Sequence, residues 1–213
     1  MKQILCFGDS NTFGYDAIND GRFSRNERWT GILAQRLGEE YLIIEEGMNG
    51  RTTVWDDPVE ELESGKKSLP VCLYSHWPLD LVILMLGTND LKLRFRLEAE
   101  DICAGAESLV GLIRSFYLHK GKKVPEILLV SPIEIGPRMK DMPYGVFMGG
   151  DWAVSRSKRF ADLYKQAAKR QHCHFLAASD YAEACKEDCI HMDRENHRKL
   201  ALGMEKKVRE ILG

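Results

Sequence analysis

Long hydrophobic runs are missing from this chain of 213 residues. The longest, such as Leu81–Leu86, fall far short of the roughly 18 apolar residues that a membrane span needs. The first residues carry one positive charge before the apolar stretch Ile4–Phe7, which is too short for a secretion signal. We therefore expect a soluble, cytoplasmic protein that binds no membrane.

An excess of charge of one sign is also missing. The 30 lysines and arginines nearly balance the 32 aspartates and glutamates, and the formal net charge is -2. Nucleic-acid-binding domains usually carry clustered positive charge, so we expect no nucleic-acid partner. We find no internal repeat, low-complexity tract or linker, and the length suits one domain over residues 1–213.

Closely paired cysteines are the third absence. None of the six cysteines forms a C-x-x-C pair, and we expect reduced thiols. Cys185, Cys189 and His191 could together bind a metal ion, and His172 and His174 could add two ligands. Because zinc sites are usually marked by paired thiolates, the favoured interpretation assigns this chain no metal and no cofactor.

Short apolar runs typical of strands alternate with segments of helical spacing. The runs are Ile4–Phe7, Leu42–Ile44, Leu81–Leu86, Ile127–Val130 and Cys173–Ala177, and the helical segments are Trp29–Leu37, Ile102–Phe116, Phe160–Gln171 and Leu200–Ile211. Strands that are apolar on both faces are typical of a parallel sheet covered by helices. The pattern predicts an α/β fold, a three-layer α/β/α sandwich with a flavodoxin-like, doubly wound sheet of about five parallel strands.

Two segments show no clear periodicity. Residues 55–78 are predicted to form a loop with a possible helix around Val59–Leu62, and Asp193 or Asn196 is expected to cap the last helix. Residues 132–150 are rich in proline and glycine, and loops of this length are usually functional. We expect this second segment to pack over the site or against a neighbouring subunit of a homo-oligomer.

Polar clusters follow the first three predicted strands, where sites of doubly wound folds lie. They are Gly8–Thr12, Gly47–Thr53 and Gly87–Asp90. Each alone is ordinary turn chemistry, and Ser10 by itself could simply cap a helix. Its hydroxyl becomes a nucleophile only if a base removes the proton.

A candidate base lies near the end of the chain, in Asp188-Cys189-Ile190-His191. The Asp188 carboxylate can accept a hydrogen bond from Nδ1 of His191, which leaves Nε2 as a base. An aspartate beside a histidine is more often a surface pair. The alternative imidazole, His197, lies within the last predicted helix and has no carboxylate at the matching offset.

These segments occur in an order that resembles the SGNH hydrolases, also called the GDSL esterase/lipase family. The residues that carry the resemblance are Gly8-Asp9-Ser10-Asn11, Gly50, Gly87-x-Asn89-Asp90 and Asp188-x-x-His191. The runs Arg28–Gly31 and Leu84–Asp90 look like the arylesterase/acyltransferase branch. The G-x-S-x-G elbow of α/β-hydrolases is absent, because Thr12 stands where its second glycine would be.

The resemblance implies a serine esterase that hydrolyses or transfers short acyl groups of a small-molecule ester. Ser10 would be the nucleophile, His191 the general base and later general acid, and Asp188 its orienting partner. The oxyanion hole would consist of the backbone N–H groups of Ser10 and Gly50 and the side-chain amide of Asn89.

The substrate pocket is harder to predict. Asn11 stands where many relatives have leucine, and we expect it to change the pocket wall. The other candidates for the wall could each equally be an ordinary anchor of the core or of a loop. They are Phe13, Tyr15, Trp55, Trp77, Phe95, Phe147, Met148 and Trp152.

Three alternatives remain open at this point. The chain could be an acetyl esterase acting on acetylated carbohydrates. It could be a metal-dependent phosphoesterase using Asp9, Asn11, Asp90 and His191. It could also be a binding module without catalytic activity.

Overall fold

A sheet of five parallel strands forms the centre of the computed structural model, which describes residues 1–213. The strands are β1 (Lys2–Gly8), β2 (Tyr41–Gly47), β3 (Leu81–Met85), β4 (Glu126–Ser131) and β5 (His174–Ala177). Their order across the sheet is β2-β1-β3-β4-β5. Strand β2 therefore lies on one side of β1, and β3, β4 and β5 follow one another on the other side. The predicted doubly wound α/β fold is confirmed.

Helices cover both faces of the sheet. They are α1 (Ser10–Phe13), α2 (Trp29–Leu37), α3 (Gly65–His76), α4 (Ala99–His119), α5 (Gly145–Met148), α6 (Asp151–Ser157), α7 (Phe160–Arg170) and α8 (Arg194–Leu212). Helices α2 and α8 pack on one face, and α3, α4 and α7 pack on the other. None of the helices combines the length and the apolar character that a membrane span requires.

The central strand β3 shows why an unbroken apolar run marks a covered sheet. Leu81, Ile83 and Met85 belong to the core beneath α2 and α8, whereas Val82 and Leu84 belong to the core on the opposite face. All five side chains are buried. A strand with apolar cores on both sides has no polar alternation.

The predicted helices at residues 29–37, 102–116, 160–171 and 200–211 all fall within or close to observed ones. Of the two candidates for the start of the last helix, Asp193 is the cap. Its carboxylate accepts the backbone N–H of Asn196 at 2.8 Å.

The prediction for residues 55–78 is wrong, because α3 occupies residues 65–76. Only one side of α3 is buried and Pro70 lies inside it, and both features weaken the helical pattern. Val59–Leu62 is not helical. It belongs to a turn closed by two backbone hydrogen bonds between Asp57 and Leu62, of 2.9 and 3.0 Å.

The segment 132–150 contains a 3₁₀ turn at Met139–Asp141 and the short helix α5. Met139 and Met148 anchor it in the core beneath α4 and α7. Its outer side exposes Val146 and Phe147.

Candidate active site

Ser10 lies at the carboxyl edge of the sheet, as the first residue of α1 directly beyond β1. The carboxylate of Asp9 caps α1 by accepting the N–H of Asn11 at 3.0 Å. The turn is tight, since a β-carbon at Gly8 would lie 2.8 Å from the carbonyl oxygen of Met85. This packing fixes where Ser10 presents its hydroxyl.

His191 connects Ser10 with Asp188. Its Nε2 lies 2.8 Å from Oγ of Ser10, and its Nδ1 hydrogen-bonds to Oδ2 of Asp188. An imidazole that donates from Nδ1 presents an unprotonated Nε2 to the hydroxyl. The three side chains therefore form a continuous hydrogen-bonded chain, although they come from opposite ends of the sequence.

Asp188 is held as an anion. Burial raises the pKa of its carboxyl group, but the hydrogen bonds from the His191 ring and from two backbone N–H groups outweigh burial and lower the pKa to about 2. Those N–H groups belong to Ile190 and His191 and lie 2.8 and 2.9 Å from Oδ1. The carboxylate can therefore stabilise a positively charged imidazole.

Asn11 attaches α1 to the loop that carries His191. Its side-chain amide donates to the carbonyl of Ile190 at 3.2 Å and accepts the N–H of Met192 at 3.0 Å. The prediction that Asn11 forms the pocket wall is not what the structure shows. Its amide groups are engaged with the loop, where a leucine could make neither hydrogen bond.

Gly50 and Asn89 border the same cavity as Ser10. The N–H groups of Ser10 and Gly50 donate to no backbone carbonyl. The Asn89 side chain donates one hydrogen to the carbonyl of Arg51 at 3.1 Å, which leaves its second hydrogen for a ligand. Gly50 has a φ of 78°, a left-handed conformation that favours glycine, and a β-carbon there would also lie 2.3 Å from a methyl group of Leu62.

Buried contacts hold the loop of Gly50 to the strands beside it. The guanidinium of Arg51 donates to the carbonyls of Gly8, at 2.9 Å, and Glu46. Further along, Asp90 accepts the N–H and the hydroxyl of Thr53, at 3.0 and 2.5 Å. These contacts bring the ends of β1, β2 and β3 into one fixed arrangement.

Asp9 and Asp90 have environments unlike that of Asp188. Burial raises the pKa of Asp9 to about 6 and that of Asp90 to about 7, because hydrogen bonds from Asn11 and Thr53 offset only part of the desolvation. Both carboxyl groups serve the turns around them. The structure has no group of three His, Cys, Asp or Glu side chains suited to hold a metal ion.

A cavity of about 530 Å³ opens beside Ser10 and His191. Its wall is partly aromatic and apolar and partly charged. The aromatic and apolar residues are Tyr15, Val59, Tyr144, Phe147, Met148 and Ile190, and the charged ones are Glu60, Lys92 and Arg94. The cavity can thus hold a small molecule with both apolar and polar parts.

Three of the residues predicted for the wall, Tyr15, Phe147 and Met148, line the cavity. The predictions for the others are wrong, since the cavity wall does not include Asn11, Phe13, Trp55, Trp77, Phe95 or Trp152. Aromatic residues near the strand ends were predicted to face inwards. The structure instead builds much of the wall from the turn before α3 and the segment after Asn89.

The misplaced aromatic residues have other packing partners. The guanidinium of Arg22 lies over the ring of Phe13, with its carbon atom Cζ 4.2 Å from the ring centroid. Trp55 covers Gly105 of α4, where a β-carbon would lie 2.9 Å from the indole ring. Phe95 is half-buried in a turn closed by its N–H and the carbonyl of Lys92.

No motif in the sequence predicts the charged part of the wall. Lys92 follows Asn89 by one 3₁₀ turn, and that spacing could have identified it. Glu60 carried no usable signal, because it lies in a segment for which the wrong local structure was predicted. The guanidinium of Arg94 donates a hydrogen bond to the Glu60 carboxylate, and both side chains line the cavity.

The imidazole of His197 lies outside the cavity, buried between α2 and α8. The N–H of Trp29 points to its Nδ1 at 3.4 Å. Burial lowers its pKa to about 3, so the ring is neutral at ordinary pH. This environment indicates a structural residue.

Residues 6–199 match the model of the GDSL-like lipase/acylhydrolase family. No curated protein sequence matches the chain significantly.

Several solved structures are similar over the whole chain. A carbohydrate acetylesterase family member from Sinorhizobium meliloti is 38% identical, with a TM-score of 0.92 and 100% of both chains covered. The aryl esterase of M. smegmatis is 37% identical, with the same TM-score and coverage. The lipase/acylhydrolase from Enterococcus faecalis shares the fold at 19% identity, with a TM-score of 0.66 over 99% of this chain and 96% of the other.

Proposed function

This chain belongs to the GDSL-like lipase/acylhydrolase family, and from that premise we propose that it hydrolyses short-chain carboxylic esters with Ser10, His191 and Asp188. Its membership and its esterase neighbours make the chain a carboxylic ester hydrolase. The hydrogen-bonded chain from Ser10 Oγ through His191 to Asp188 carries the assignment of residues.

Acylation begins when Oγ of Ser10 attacks the ester carbonyl while Nε2 of His191 takes the hydroxyl proton. Asp188 stabilises the resulting imidazolium through its contact with Nδ1. The imidazolium then protonates the leaving alcohol, and the acyl group remains on Ser10.

The carbonyl oxygen becomes negatively charged as the Ser10–carbon bond forms. The N–H groups of Ser10 and Gly50 and the free amide hydrogen of Asn89 are the donors that would stabilise it. Loss of one such donor typically costs about 10²–10³ in rate. Because packing already fixes these groups, little reorganisation is needed during the reaction.

Deacylation repeats the sequence with water. His191 takes a proton from the water molecule, the hydroxide attacks the acyl carbonyl, and Ser10 leaves with the proton that His191 returns. A second alcohol or a peroxide that replaced this water would give acyl transfer. The aromatic and apolar residues Tyr15, Phe147 and Ile190 around the site support some transferase activity, and the ratio of transfer to hydrolysis measures it.

A second candidate, hydrolysis of acetylated carbohydrates, is favoured by the mixed cavity wall. Glu60 and Lys92 can hydrogen-bond sugar hydroxyls, and the exposed ring of Phe147 can pack against a sugar face. The neighbour from Sinorhizobium meliloti is described as a carbohydrate acetylesterase family member.

We also propose that segment 132–150 packs against a second copy of the chain. Tyr144, Val146 and Phe147 are 47%, 82% and 61% exposed. Tyr144 and Phe147 line the cavity, and Val146 and Phe147 line an adjoining groove. Surface apolar clusters of this kind often mark interfaces. A Val146→Glu variant should shift the mass measured by light scattering towards the monomer.

A cytoplasmic location is the last part of the proposal. Its support is the six free thiols, which a reducing compartment maintains. Fractionation of the producing cells would test it directly.

A panel of substrates tests the proposed activity. Aryl esters of rising acyl length and acetylated sugars would be offered to the wild type and to Ser10→Ala. We expect the highest kcat/KM for short acyl groups and near-complete loss in the variant. Substantial turnover by Ser10→Ala would contradict the assignment, and a strong preference for acetylated sugars would favour the second candidate.

A further inference from the structure

An acidic side chain lies beside the proposed oxyanion hole. A β-carbon at Gly50 would be only 3.1 Å from Oε2 of Glu60, and Glu60 lines the same cavity as Ser10 and Asn89. An uncompensated carboxylate at this place would repel the negative charge that develops on the carbonyl oxygen. Something must therefore offset the charge of Glu60.

Two cations hold that carboxylate. Nζ of Lys92 lies 2.7 Å from Oε2 of Glu60, and Nη2 of Arg94 lies 2.5 Å from Oε1. Each carboxylate oxygen thus has its own positively charged donor. The orientation of Glu60 is fixed, and its charge is locally balanced.

A fourth residue completes the network. Asp57 contacts Lys92 at 3.1 Å and Arg94 at 3.3 Å, and the side chains of Asp57 and Lys92 are only 1% and 9% exposed. Two negative and two positive groups give no net charge. Because the contact between Asp57 and Lys92 is shielded from water, salt weakens it little.

The network also joins the two segments that carry the oxyanion donors. The backbone N–H of Lys92 donates to the carbonyl of Asn89 at 3.2 Å. On the other side, Asp57 accepts the N–H of Glu60 at 3.4 Å and closes the turn that packs over Gly50. Lys92 therefore bridges the turn of Asn89 and the cover of Gly50.

We propose that Lys92 and Arg94 are positioning residues for ester hydrolysis, which hold the Glu60 carboxylate and cancel its charge beside the oxyanion hole. This inference rests on the proposed function. The charge cancellation explains how a site that stabilises a developing anion tolerates an acidic side chain in its wall.

The test measures 4-nitrophenyl acetate hydrolysis by Lys92→Met, Glu60→Gln and the double variant. Lys92→Met should lower kcat by roughly tenfold to a hundredfold with little change in KM, because the repulsion acts mainly in the transition state. Adding Glu60→Gln should restore most of the rate by removing the unbalanced charge. Inhibition by a trifluoromethyl ketone, whose serine adduct carries an oxyanion, should weaken and recover in parallel.

Controls separate this role from a structural one. Arg96→Met removes the same charge from an exposed position nearby and should leave kcat unchanged. If Lys92→Met does not fold, the same comparison is made with Arg94→Met alone and combined with Glu60→Gln. The Arg94 side chain is 22% exposed, so its loss should be easier to accommodate.

Two results would overturn the inference. One is a kcat near the wild-type value in folded Lys92→Met or Arg94→Met. The other is a double variant no faster than the single one, since a mere loss of loop support would not respond to the charge of Glu60. If the wild type were inactive on every ester, the proposed function would be overturned as well. If the wild type is active and Ser10→Ala removes that activity, the proposed function stands and only the inference about the network fails.

Discussion

Two histidines near the C-terminus differ in what their ring nitrogens contact. His191 connects Asp188 with the Ser10 hydroxyl, whereas His197 is buried and its Nε2 has no partner. Burial also keeps His197 uncharged by lowering its pKa to about 3. The two residues should therefore respond differently to removal.

Substitution of each histidine by alanine tests whether His191 serves catalysis and His197 serves stability. His191→Ala should lower kcat by about 10⁴-fold or more, because Ser10 loses its base. His197→Ala should mainly lower the free energy of unfolding, by about 2 kcal/mol for the cavity it leaves. Steady-state kinetics and urea unfolding of both variants provide the measurement, and greater activity loss in His197→Ala would mean that the wrong histidine has been assigned.

Single residues also mark where sequence reasoning is weakest. Asn11 was predicted as a pocket residue because of its position beside Ser10, yet its amide contacts Ile190 and Met192. Nothing in the local sequence indicates partners almost the whole chain length away. Phe147 does line the cavity, but Phe13 and Trp55, chosen by the same reasoning, do not.

At the scale of elements, the attachment of helix α1 to the loop of His191 is the contact that assembles the site. Asn11 makes two hydrogen bonds across it, of 3.2 and 3.0 Å. A buried hydrogen bond contributes about 1 kcal/mol, and a partner left unpaired costs somewhat more.

Asn11→Ala should therefore lower the free energy of unfolding by about 2–3 kcal/mol. It should also reduce kcat, since the loop that positions His191 loses its anchor. Kinetics and chemical unfolding would be compared with Asn26→Ala, an exposed asparagine whose loss should change neither. Wild-type kcat and stability in Asn11→Ala would show that the loop is held by other contacts.

The elements themselves were predictable in proportion to how fully they are buried. Strand β3 and helix α4 lie deep in the molecule, and their apolar patterns identify them clearly. Helix α3 has a mostly exposed surface and contains Pro70, so its pattern resembles that of a loop. That error also concealed the turn of Asp57 and Glu60, and with it the charged wall of the cavity.

At the scale of the whole molecule, two buried carboxyl groups near the strand ends connect stability with pH. Asp90 has a pKa raised to about 7 by burial, against a normal value of 3.8. The folded state therefore binds its proton more tightly than the unfolded state does. Stability from this group is fully present below pH 3.8 and is lost as the pH rises towards 7. Asp9 acts in the same direction up to about pH 6.

Asp90→Asn should accordingly flatten the fall in unfolding free energy between pH 4 and pH 7. Urea unfolding across this range would be compared with Asp162→Asn, which replaces an exposed aspartate. An unchanged slope in Asp90→Asn would mean that Asp90 titrates normally in the folded protein.

The overall fold and the order of the polar segments were accessible from the sequence, because a doubly wound sheet brings the carboxyl ends of its strands to one edge. That rule was enough to group Ser10, Gly50 and Asn89. The shape of the cavity was not accessible, because it depends on how turns between elements pack, as Glu60 packs over Gly50.

Covalent labelling with a fluorophosphonate, followed by mass spectrometry of the peptides, tests the central claim most directly. Only a serine made nucleophilic by its surroundings reacts rapidly with this probe. We predict one adduct, on Ser10, and labelling slowed by about 10³-fold or more in His191→Ala. An unlabelled wild type, an adduct on another residue, or equal labelling of His191→Ala would contradict the assignment of the nucleophile and its base.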